Sequence, residues 1–246
     1  MLPLKGMRVV VTRAAHQAEE LAAPLRDLGV EVILVPVIGI APPVDPTSLH
    51  DAARRADEYD WIIFTSANAV AAFATLLSPP LAACRARIAT VGAATRESAE
   101  QHGFSVALVP KRYVAESLVE AFATTELNGS RILIPSAAVT RDVVPVELRK
   151  RGAHVDVVEA YRNVVPPEAA ERAAAAFREP YPDWVTFASS SAVDNLVGLI
   201  GPSPLSVVRI ATIGPVTSQT VRTHKLNVAA EALDHTVEGL VKAICL

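Results

Sequence analysis

The sequence predicts an α/β protein made of two similar domains, each a parallel sheet covered by helices on both faces. Two observations lead to this prediction. Short β-branched runs alternate with alanine-rich stretches of helical periodicity, which is typical of parallel sheets. The chain also repeats itself at a nearly constant offset. Its 246 residues suffice for one large domain or for two, and 51% of them are hydrophobic, enough to form real cores.

The first strand and helix follow from their apolar patterns. Residues 8–12 form a short β-branched run, which indicates a buried strand. Apolar residues then recur at three- and four-residue steps over 14–28, which predicts a helix that ends at Gly29. The later predicted strands are residues 30–35, 61–65 and 88–91, the last two each leading into a helix.

Four blocks of sequence recur later in the chain, at offsets of 122 or 123 residues. A constant offset over four blocks indicates two copies of one α/β unit, and a period of this length indicates two domains rather than a solenoid. The blocks are residues 29–32 and 152–155, 60–70 and 183–193, 88–92 and 210–214, and 116–121 and 238–243.

Two long apolar runs complicate the boundary between the domains. Residues 30–40 and 154–165 both exceed the usual strand of about five or six residues, and each is followed closely by two prolines. Both runs can leave one sheet and cross to the other body, in which case each domain mixes segments from both repeats. Alternatively, each run is a single long edge strand, and the spacing alone leaves both interpretations open.

Composition excludes several classes of protein. A net charge of −3 argues against a generally basic binder of nucleic acid or of membrane surfaces. Cys84 and Cys245 form neither a metal-spaced set nor a disulfide framework, and the six histidines are scattered, so no metal site is predicted. With free thiols, no targeting segment and no apolar run long enough for a membrane, the expectation is a cytoplasmic protein.

The ends of the predicted strands share one chemistry. Ligands of parallel α/β sheets bind beyond the carboxyl ends of the strands, and free N–H groups at helix N-termini attract anions. Two such rims facing each other would suit a large, multiply anionic ligand. Ser, Thr and Asn before a helix are also ordinary N-caps, so only the recurrence of the pattern favours a ligand. The six turns are 12–13, 65–68, 92–95, 136, 189–191 and 214–217.

Familiar catalytic signatures do not occur in the sequence. It contains no Gly-x-Gly-x-x-Gly, no phosphate-binding Gly-Lys-Ser/Thr and no Gly-x-Ser-x-Gly elbow. Tyr161 lies on the second long run. Its ring packs in a core with the hydroxyl at the edge or, if that run connects the domains, the hydroxyl faces the cleft.

Several motifs together resemble the uroporphyrinogen-III synthase family. They are the repeat, residues 60–70, the turn at Val91 and Gly92, residues 158–162 and residues 213–217. Each motif alone is weak, whereas their order and spacing are specific and cover essentially the whole chain. The resemblance implies that the protein cyclises hydroxymethylbilane, a linear tetrapyrrole, to uroporphyrinogen III. Water is lost and the last pyrrole ring is inverted through a spiro intermediate, with no metal or organic cofactor.

The resemblance also implies an architecture. It predicts two flavodoxin-like domains joined by a two-stranded antiparallel connector, with the active site in the interdomain cleft. The first domain then comprises residues 1–37 and 165–246, and the second comprises residues 38–164. The long runs at about 30–40 and 154–165 become the connector strands. The expected protein is a monomer that binds a small molecule, received by handover from hydroxymethylbilane synthase.

Site residues are carried over from the family motifs. Tyr161 matches a tyrosine that assists departure of the substrate hydroxyl, and Thr217 matches a threonine of the Gly-Pro-x-Thr turn. This chain departs from the family at Ala14, where proline is frequent, and at Val216, where a hydroxyl is frequent. The expected substrate-binding residues are Thr12, Arg13, Ser66, Ala67, Asn68, Gly92, Ser136, Arg141, Ser189, Ser190, Ser191 and Gly214.

The chemistry of the implied reaction fits the residues. A polycarboxylate substrate suits several helix N-termini better than one deep pocket. The leaving hydroxyl sits on a carbon next to an electron-rich pyrrole, so one weak acid such as Tyr161 suffices, and the main task is to hold the chain for closure. Two alternatives stay open: a two-lobed small-molecule-binding protein, and a non-catalytic tetrapyrrole sensor of the same fold.

Overall fold

A computed structural model describes residues 4–77, 84–110, 115–138 and 143–245 and divides the chain into two compact units. Unit 1 comprises Met1–Gly39 and Val164–Leu246, and unit 2 comprises Ile40–Asn163. The corresponding predicted boundaries follow residues 37 and 164. Both units combine helices with parallel strands, which confirms the predicted α/β class.

Strands and helices alternate along most of the chain. In order, the elements are β1 Arg8–Val11, α1 Ala15–Asp27, β2 Glu31–Leu34, β3 Gly39–Ala41, α2 Thr47–Arg54, β4 Trp61–Phe64, α3 Ala67–Ala74, β5 Arg87–Thr90, α4 Ala93–Gln101, β6 Val106–Leu108, α5 Ala115–Ala121, β7 Arg131–Ala137, α6 Val143–Lys150, β8 His154–Val164, α7 Ala169–Ala176, β9 Trp184–Phe187, α8 Ser190–Ile200, β10 Arg209–Thr212, α9 Pro215–Thr223, β11 Ala230–Glu231 and α10 Val237–Cys245.

Unit 1 is a doubly wound parallel sheet with the strand order β2-β1-β9-β10-β11. Successive residues of β1 face opposite cores, because side chains alternate across a strand. Val10 packs in one core with residues of α7, α8 and α9, and Val9 and Val11 pack in the other with residues of α1 and α10. In chain order within the unit, this is the flavodoxin-like order 2-1-3-4-5.

Unit 2 has the same spatial order with a different connectivity. Its sheet runs β3-β8-β7-β4-β5-β6, and the pairs from β8 to β6 are parallel. Here β7 and β8 take the places that β1 and β2 hold in unit 1, although they come last in the unit. Unit 2 is therefore a circular permutation of unit 1, with β3 added beside β8.

The repeat is visible in matching side-chain contacts. The guanidinium of Arg87 lies 4.2 Å from the ring centroid of Trp61, and that of Arg209 lies 4.6 Å from the ring of Trp184. Each pair occupies the same register position on neighbouring strands, β4 with β5 and β9 with β10. The repeated sequence thus forms the same local packing in each unit.

The two long runs behave differently. The run 30–40 is not one strand, since β2 belongs to the sheet of unit 1 and β3 to that of unit 2. The run 154–165 is one strand, β8, of 11 residues, but it lies between β3 and β7 and is no edge strand. The edge-strand interpretation is therefore wrong for both. The runs do pair with each other, through the three residues of β3.

We expect Gly152→Ala to destabilise the protein by about 3 kcal/mol and the repeat-equivalent Gly29→Ala by about 1 kcal/mol. Both glycines have a left-handed backbone, with φ of +84° and +80°. A Cβ on Gly152 would lie 2.4 Å from Oδ1 and 3.2 Å from Cα of Asn128, whereas on Gly29 its nearest neighbour is Lys5 at 3.3 Å. Urea unfolding of both variants measures the difference, and equal losses would contradict the steric argument.

The core of unit 2 also contains a pH-sensitive contact. The hydroxyl of Tyr59 donates to Oδ2 of Asp156 at 2.8 Å, and the Tyr59 side chain is 3% exposed. Burial, together with the hydrogen bond and the charge of Asp156, raises the pKa of Tyr59 to about 12, above the ordinary 10.0. The folded state therefore holds this proton more tightly than the unfolded chain does.

We expect this contact to stabilise the fold below pH 10 and to lose that contribution, about 2 kcal/mol, as the pH rises through 12. Tyr59→Phe removes the titrating group, so its free energy of unfolding should fall less steeply over this interval. Chemical denaturation at several alkaline pH values measures both slopes. Identical slopes for wild type and variant would show that the Tyr59 proton is not linked to folding.

Candidate active site

The topology singles out one edge of each sheet. In doubly wound sheets, ligands bind beyond the carboxyl strand ends, where successive connections diverge to opposite faces. That point lies between β1 and β9 in unit 1 and between β7 and β4 in unit 2. We call the ends of β1, β9 and β10 with the N-termini of α1, α8 and α9 the unit 1 rim. The ends of β4, β5, β7 and β8 with the N-termini of α3 and α4 form the unit 2 rim.

The helices of both rims begin without negative charge. None of α1, α3, α4, α8 and α9 has an acidic residue in its first turn. Acidic residues are ordinarily favoured at this end because they complement the helix dipole. Their absence leaves the first backbone N–H groups free of competing carboxylates, which suits anionic ligands.

Tyr161 reaches the unit 2 rim because β8 carries a bulge. Ser136 pairs with Glu159 and Ala137 pairs with Tyr161, so β8 has one more residue than β7 at this point. Val158, Ala160 and Tyr161 consequently all pack in the same core, where strict alternation would turn Tyr161 to the other face. Bulges commonly re-aim a side chain next to a functional site.

The hydroxyl of Tyr161 contacts Ser66, the residue immediately before α3. The two oxygens are 3.1 Å apart, and the Tyr161 side chain is 8% exposed. Ser66 is also the N-cap of α3, since its Oγ accepts from the backbone N–H of Ala69 at 3.2 Å. Among the expected site residues of unit 2 that the structure describes, these are the two whose functional groups are in contact.

The remaining expected residues of unit 2 have different surroundings. Ala67 and Asn68 are half-buried in the first turn of α3, and Gly92 is the buried N-cap of α4. Ser136 is 3% exposed, and its hydroxyl donates to the carbonyl of the next residue, Ala137, at 3.3 Å. Arg141 lies outside the described residues.

In the unit 1 rim, two threonines tie β1 to β9. Thr12 donates its hydroxyl to the carbonyl of Thr186 at 2.7 Å, and Thr186 donates to the carbonyl of Val10 at 2.9 Å. Thr12 is fully buried, so its hydroxyl serves the sheet and not the surface. These bonds fix the backbone on which the next residue, Arg13, is carried.

Arg13 has an unsatisfied guanidinium nitrogen. Its Nη2 lies 3.0 Å from Oε2 of Glu20, and its side chain is 14% exposed. Its Nη1 is buried and has no hydrogen-bond partner among the described residues. Such a group is rare unless a ligand or water completes it. The N-cap of α1, Ala14, supplies no side-chain oxygen either, so this end of the rim is rich in donors.

The serines at the end of β9 bond among themselves and to the next turn. Ser189 caps α8 by accepting from the N–H of Ala192 at 3.3 Å, and its Oγ lies 3.2 Å from that of Ser191. Ser190 donates to the carbonyl of Val216 at 3.4 Å, which links α8 to the first turn of α9. The bond from Ala192 to Ser189 agrees with the capping interpretation, whereas the hydroxyl contacts of Ser190 and Ser191 are exposed.

Hydrogen bonds connect the first turn of α9 to the two strands on either side of it in the sequence. Gly214 is its N-cap, and Thr217 is 5% exposed. The hydroxyl of Ser218 donates to the carboxylate of Glu231, and Oγ1 of Thr212 lies 2.6 Å from the same Ser218 oxygen. This network, which runs from the buried Thr212 to the exposed Glu231, ties β10, α9 and β11 together at the residue next to Thr217.

Two features of the rims escaped the sequence analysis. His235 packs against Gly214, where a Cβ would lie 3.0 Å from its Cδ2, so glycine leaves room for the imidazole. No local pattern connects two residues so far apart in sequence. The bulge of β8 contains no glycine that would have marked it.

The described residues contain no group of three or more His, Cys, Asp or Glu side chains that could hold a metal ion. No helix among them is long and apolar enough to cross a membrane.

Comparisons with known proteins place these features in a family. The family model described as uroporphyrinogen-III synthase HemD matches residues 19–242. The uroporphyrinogen-III synthase of Synechococcus elongatus is 34% identical over 253 aligned positions, which cover 98% of this chain and 96% of that protein. That of Chlorobaculum parvum is 27% identical, with 94% of each chain covered.

Solved structures show the same fold. Uroporphyrinogen-III synthetase from Helicobacter pylori superimposes with a TM-score of 0.65 at 16% identity, covering 96% of this chain and 97% of that one. A mutant uroporphyrinogen III synthase from Thermus thermophilus gives 0.61 at 19% identity and covers 97% of each. With a matching family model over most of its length and a full-length relative at 34% identity, the chain belongs to the uroporphyrinogen-III synthase family.

Proposed function

We propose that the protein cyclises hydroxymethylbilane to uroporphyrinogen III, with loss of water and inversion of the last pyrrole ring. The observation that carries this proposal is the Tyr161 hydroxyl, which the bulge of β8 brings to the unit 2 rim beside Ser66. In a member of this family, that rim offers a weak acid, the Tyr161 phenol, next to helix N-termini that have no Asp or Glu in their first turns. A polycarboxylate with a poor leaving group needs both features.

The reaction places modest demands on the acid. The hydroxyl leaves from a carbon attached to an electron-rich pyrrole, whose nitrogen lone pair supports the developing cation. The phenol of Tyr161 donates its proton to the departing oxygen, which leaves as water. The resulting cation bonds to the substituted carbon of the last pyrrole, which gives a spiro intermediate. The bond from that carbon to its original bridging carbon then breaks, and the bridging carbon bonds instead to the unsubstituted carbon on the other side of the pyrrole nitrogen, so the ring is inverted. That carbon releases its proton, which restores the phenol. No stronger acid–base pair is required for this sequence.

Binding is the larger task, because the ring must close with the last pyrrole inverted. Carboxylates of the substrate pair with backbone N–H groups at the starts of the rim helices and with the Nη1 of Arg13. Holding the chain in a reactive geometry supplies most of the rate enhancement in such reactions. Thr217 has a smaller role than Tyr161 in this proposal, since its side chain is almost fully buried. The prediction that both rims share one substrate stays a prediction.

The decisive experiment uses hydroxymethylbilane generated enzymatically in the same tube. Without a catalyst the bilane closes spontaneously to isomer I. We therefore expect isomer III to be the product when the protein is present, with the two isomers resolved by liquid chromatography. Isomer I alone, at the spontaneous rate, would overturn the proposal. Binding of the bilane without isomer III would instead support the non-catalytic alternative.

We propose in addition that the enzyme acts as a cytoplasmic monomer supplied by hydroxymethylbilane synthase. Light scattering at micromolar concentration tests the oligomeric state. A coupled assay tests the handover by comparing the isomer ratio with and without an inactive competitor variant of this protein. An unchanged ratio at excess competitor would count against a direct transfer.

A further inference from the structure

Ser66 and its repeat equivalent, Ser189, each make two hydrogen bonds through one oxygen, but the second partner is a phenol for Ser66 and another serine for Ser189. Ser66 and Ser189 each cap a helix with nearly the same backbone, with φ and ψ of −155° and 154° against −161° and 156°. At an offset of 123 residues, the counterpart of Tyr161 is Ile38, which has no hydroxyl. The contact between serine and phenol is therefore a feature added to an ordinary cap in unit 2.

The protons of this pair can be counted. A serine hydroxyl offers one donor and two lone pairs. One lone pair of Ser66 is taken by the N–H of Ala69, and the Oγ–Oη separation of 3.1 Å allows either hydroxyl to donate. Once the phenol proton has been given away, only Ser66 still has a proton for this bond. Its hydroxyl then donates to the phenolate oxygen by rotation alone, without movement of the chain.

From this geometry we infer that Ser66 is a positioning residue for Tyr161: it orients the phenol and donates to its oxygen when the proton leaves. The inference rests on the proposed function. In the step concerned, the carbon–oxygen bond of the substrate breaks, and its electron pair leaves with the oxygen. That oxygen takes the phenol proton and departs as water. Ser66 keeps its own proton throughout, so it does not replace Tyr161 as the acid.

The packing makes this arrangement rigid. Tyr161 is 8% exposed and packs in the same core as Ala69, in the first turn of α3. The cap fixes Ser66 at the start of α3, and the bulge fixes the ring of Tyr161. A hydrogen bond between two groups held in this way requires little ordering in the transition state.

The test compares Ser66→Ala, Ser66→Gly and Ser66→Thr. Hydrogen bonds to charged groups are worth about 1.5–3 kcal/mol, so we expect alanine and glycine to lower kcat about ten- to a hundredfold. KM should change less than about threefold, because the serine contacts the phenol and not the substrate. Threonine keeps both the cap and the hydroxyl and should restore most of kcat. Glycine is nearly as good a cap as serine, so this variant keeps the fold.

A double-mutant cycle with Tyr161→Phe distinguishes positioning from direct action. We expect Ser66→Gly to cause almost no further loss of kcat once the phenol is absent. Asp45→Ala serves as the matched control: it removes the hydrogen bond that Asp45 accepts from the N–H of Thr47 at 2.9 Å, an exposed contact of the same unit that involves neither Ser66 nor Tyr161. It should lower the thermal midpoint by a few degrees and leave kcat unchanged.

Several outcomes would overturn the inference. They are an unchanged kcat in both Ser66→Ala and Ser66→Gly, a rise in KM at constant kcat, and equal losses with and without the phenol. Failure of the wild-type protein to form isomer III would instead overturn the proposed function, so the two failures are distinguishable.

Discussion

Tyr161→Phe should lower the rate of uroporphyrinogen III formation about a hundredfold while leaving the protein folded. One general-acid contact is typically worth about 10²–10⁴-fold. The pyrrole-assisted leaving group argues for the lower end, since ionisation can still proceed with water as the acid. The ring of Tyr161 packs in the core and is retained in the variant, which loses one hydrogen bond, to Ser66. That loss amounts to about 1 kcal/mol of stability.

The measurement is the initial rate of isomer III formation, corrected for spontaneous isomer I, together with thermal unfolding. Tyr59→Phe is the matched control, because Tyr59 is a buried tyrosine of the same core whose hydroxyl bonds Asp156, outside the rim. It should show wild-type turnover. Wild-type turnover in Tyr161→Phe as well would remove Tyr161 from the mechanism, and an unfolded variant would show that its hydroxyl is structural.

The repeating parts of the fold could be predicted because they rest on local patterns. The buried strands at Trp61 and Trp184 are short apolar runs followed by small polar residues, and both form with the same neighbouring contacts. The end of the strand within residues 30–40 could not be predicted, because β-branched apolar residues form the same sequence pattern in a strand and in a buried extended segment. Val35 and Val37 are fully buried and bond the carbonyls of Val11 and Thr12, yet the strand has already ended.

Long-range features of the site could not be predicted from the sequence. The placement of β7 beside β4 joins segments about seventy residues apart and depends on the pairing of whole strands. The bulge that turns Tyr161 inward is a one-residue offset against β7, which no residue type announces. Capping serines were predicted correctly as caps, but that Ser66 also meets a phenol follows only from the folded structure.

Replacing Arg13 by methionine should raise KM for hydroxymethylbilane about ten- to a hundredfold, with a much smaller change in kcat. The expectation follows from the buried Nη1, which has no partner among the described residues. A charge-assisted hydrogen bond to a substrate carboxylate would complete it, at about 1.5–3 kcal/mol. Methionine keeps the unbranched stem without the charge. Because Glu20 is 62% exposed, the loss of its partner leaves no buried charge behind.

The same substitution should leave stability unchanged or slightly raised, since it removes an incompletely paired buried cation. This opposite effect on stability and binding separates a ligand-binding arginine from a structural one. Arg26→Met is the control, because Arg26 lies on α1, the helix that follows Arg13, and pairs with Glu19 at 2.6 Å, but is exposed. It removes an equal charge and should not alter KM. Steady-state kinetics and thermal unfolding of both variants test this prediction. If Arg13→Met has the same KM as Arg26→Met, the unsatisfied nitrogen does not bind the substrate. A large loss of stability in Arg13→Met would show that Arg13 is structural.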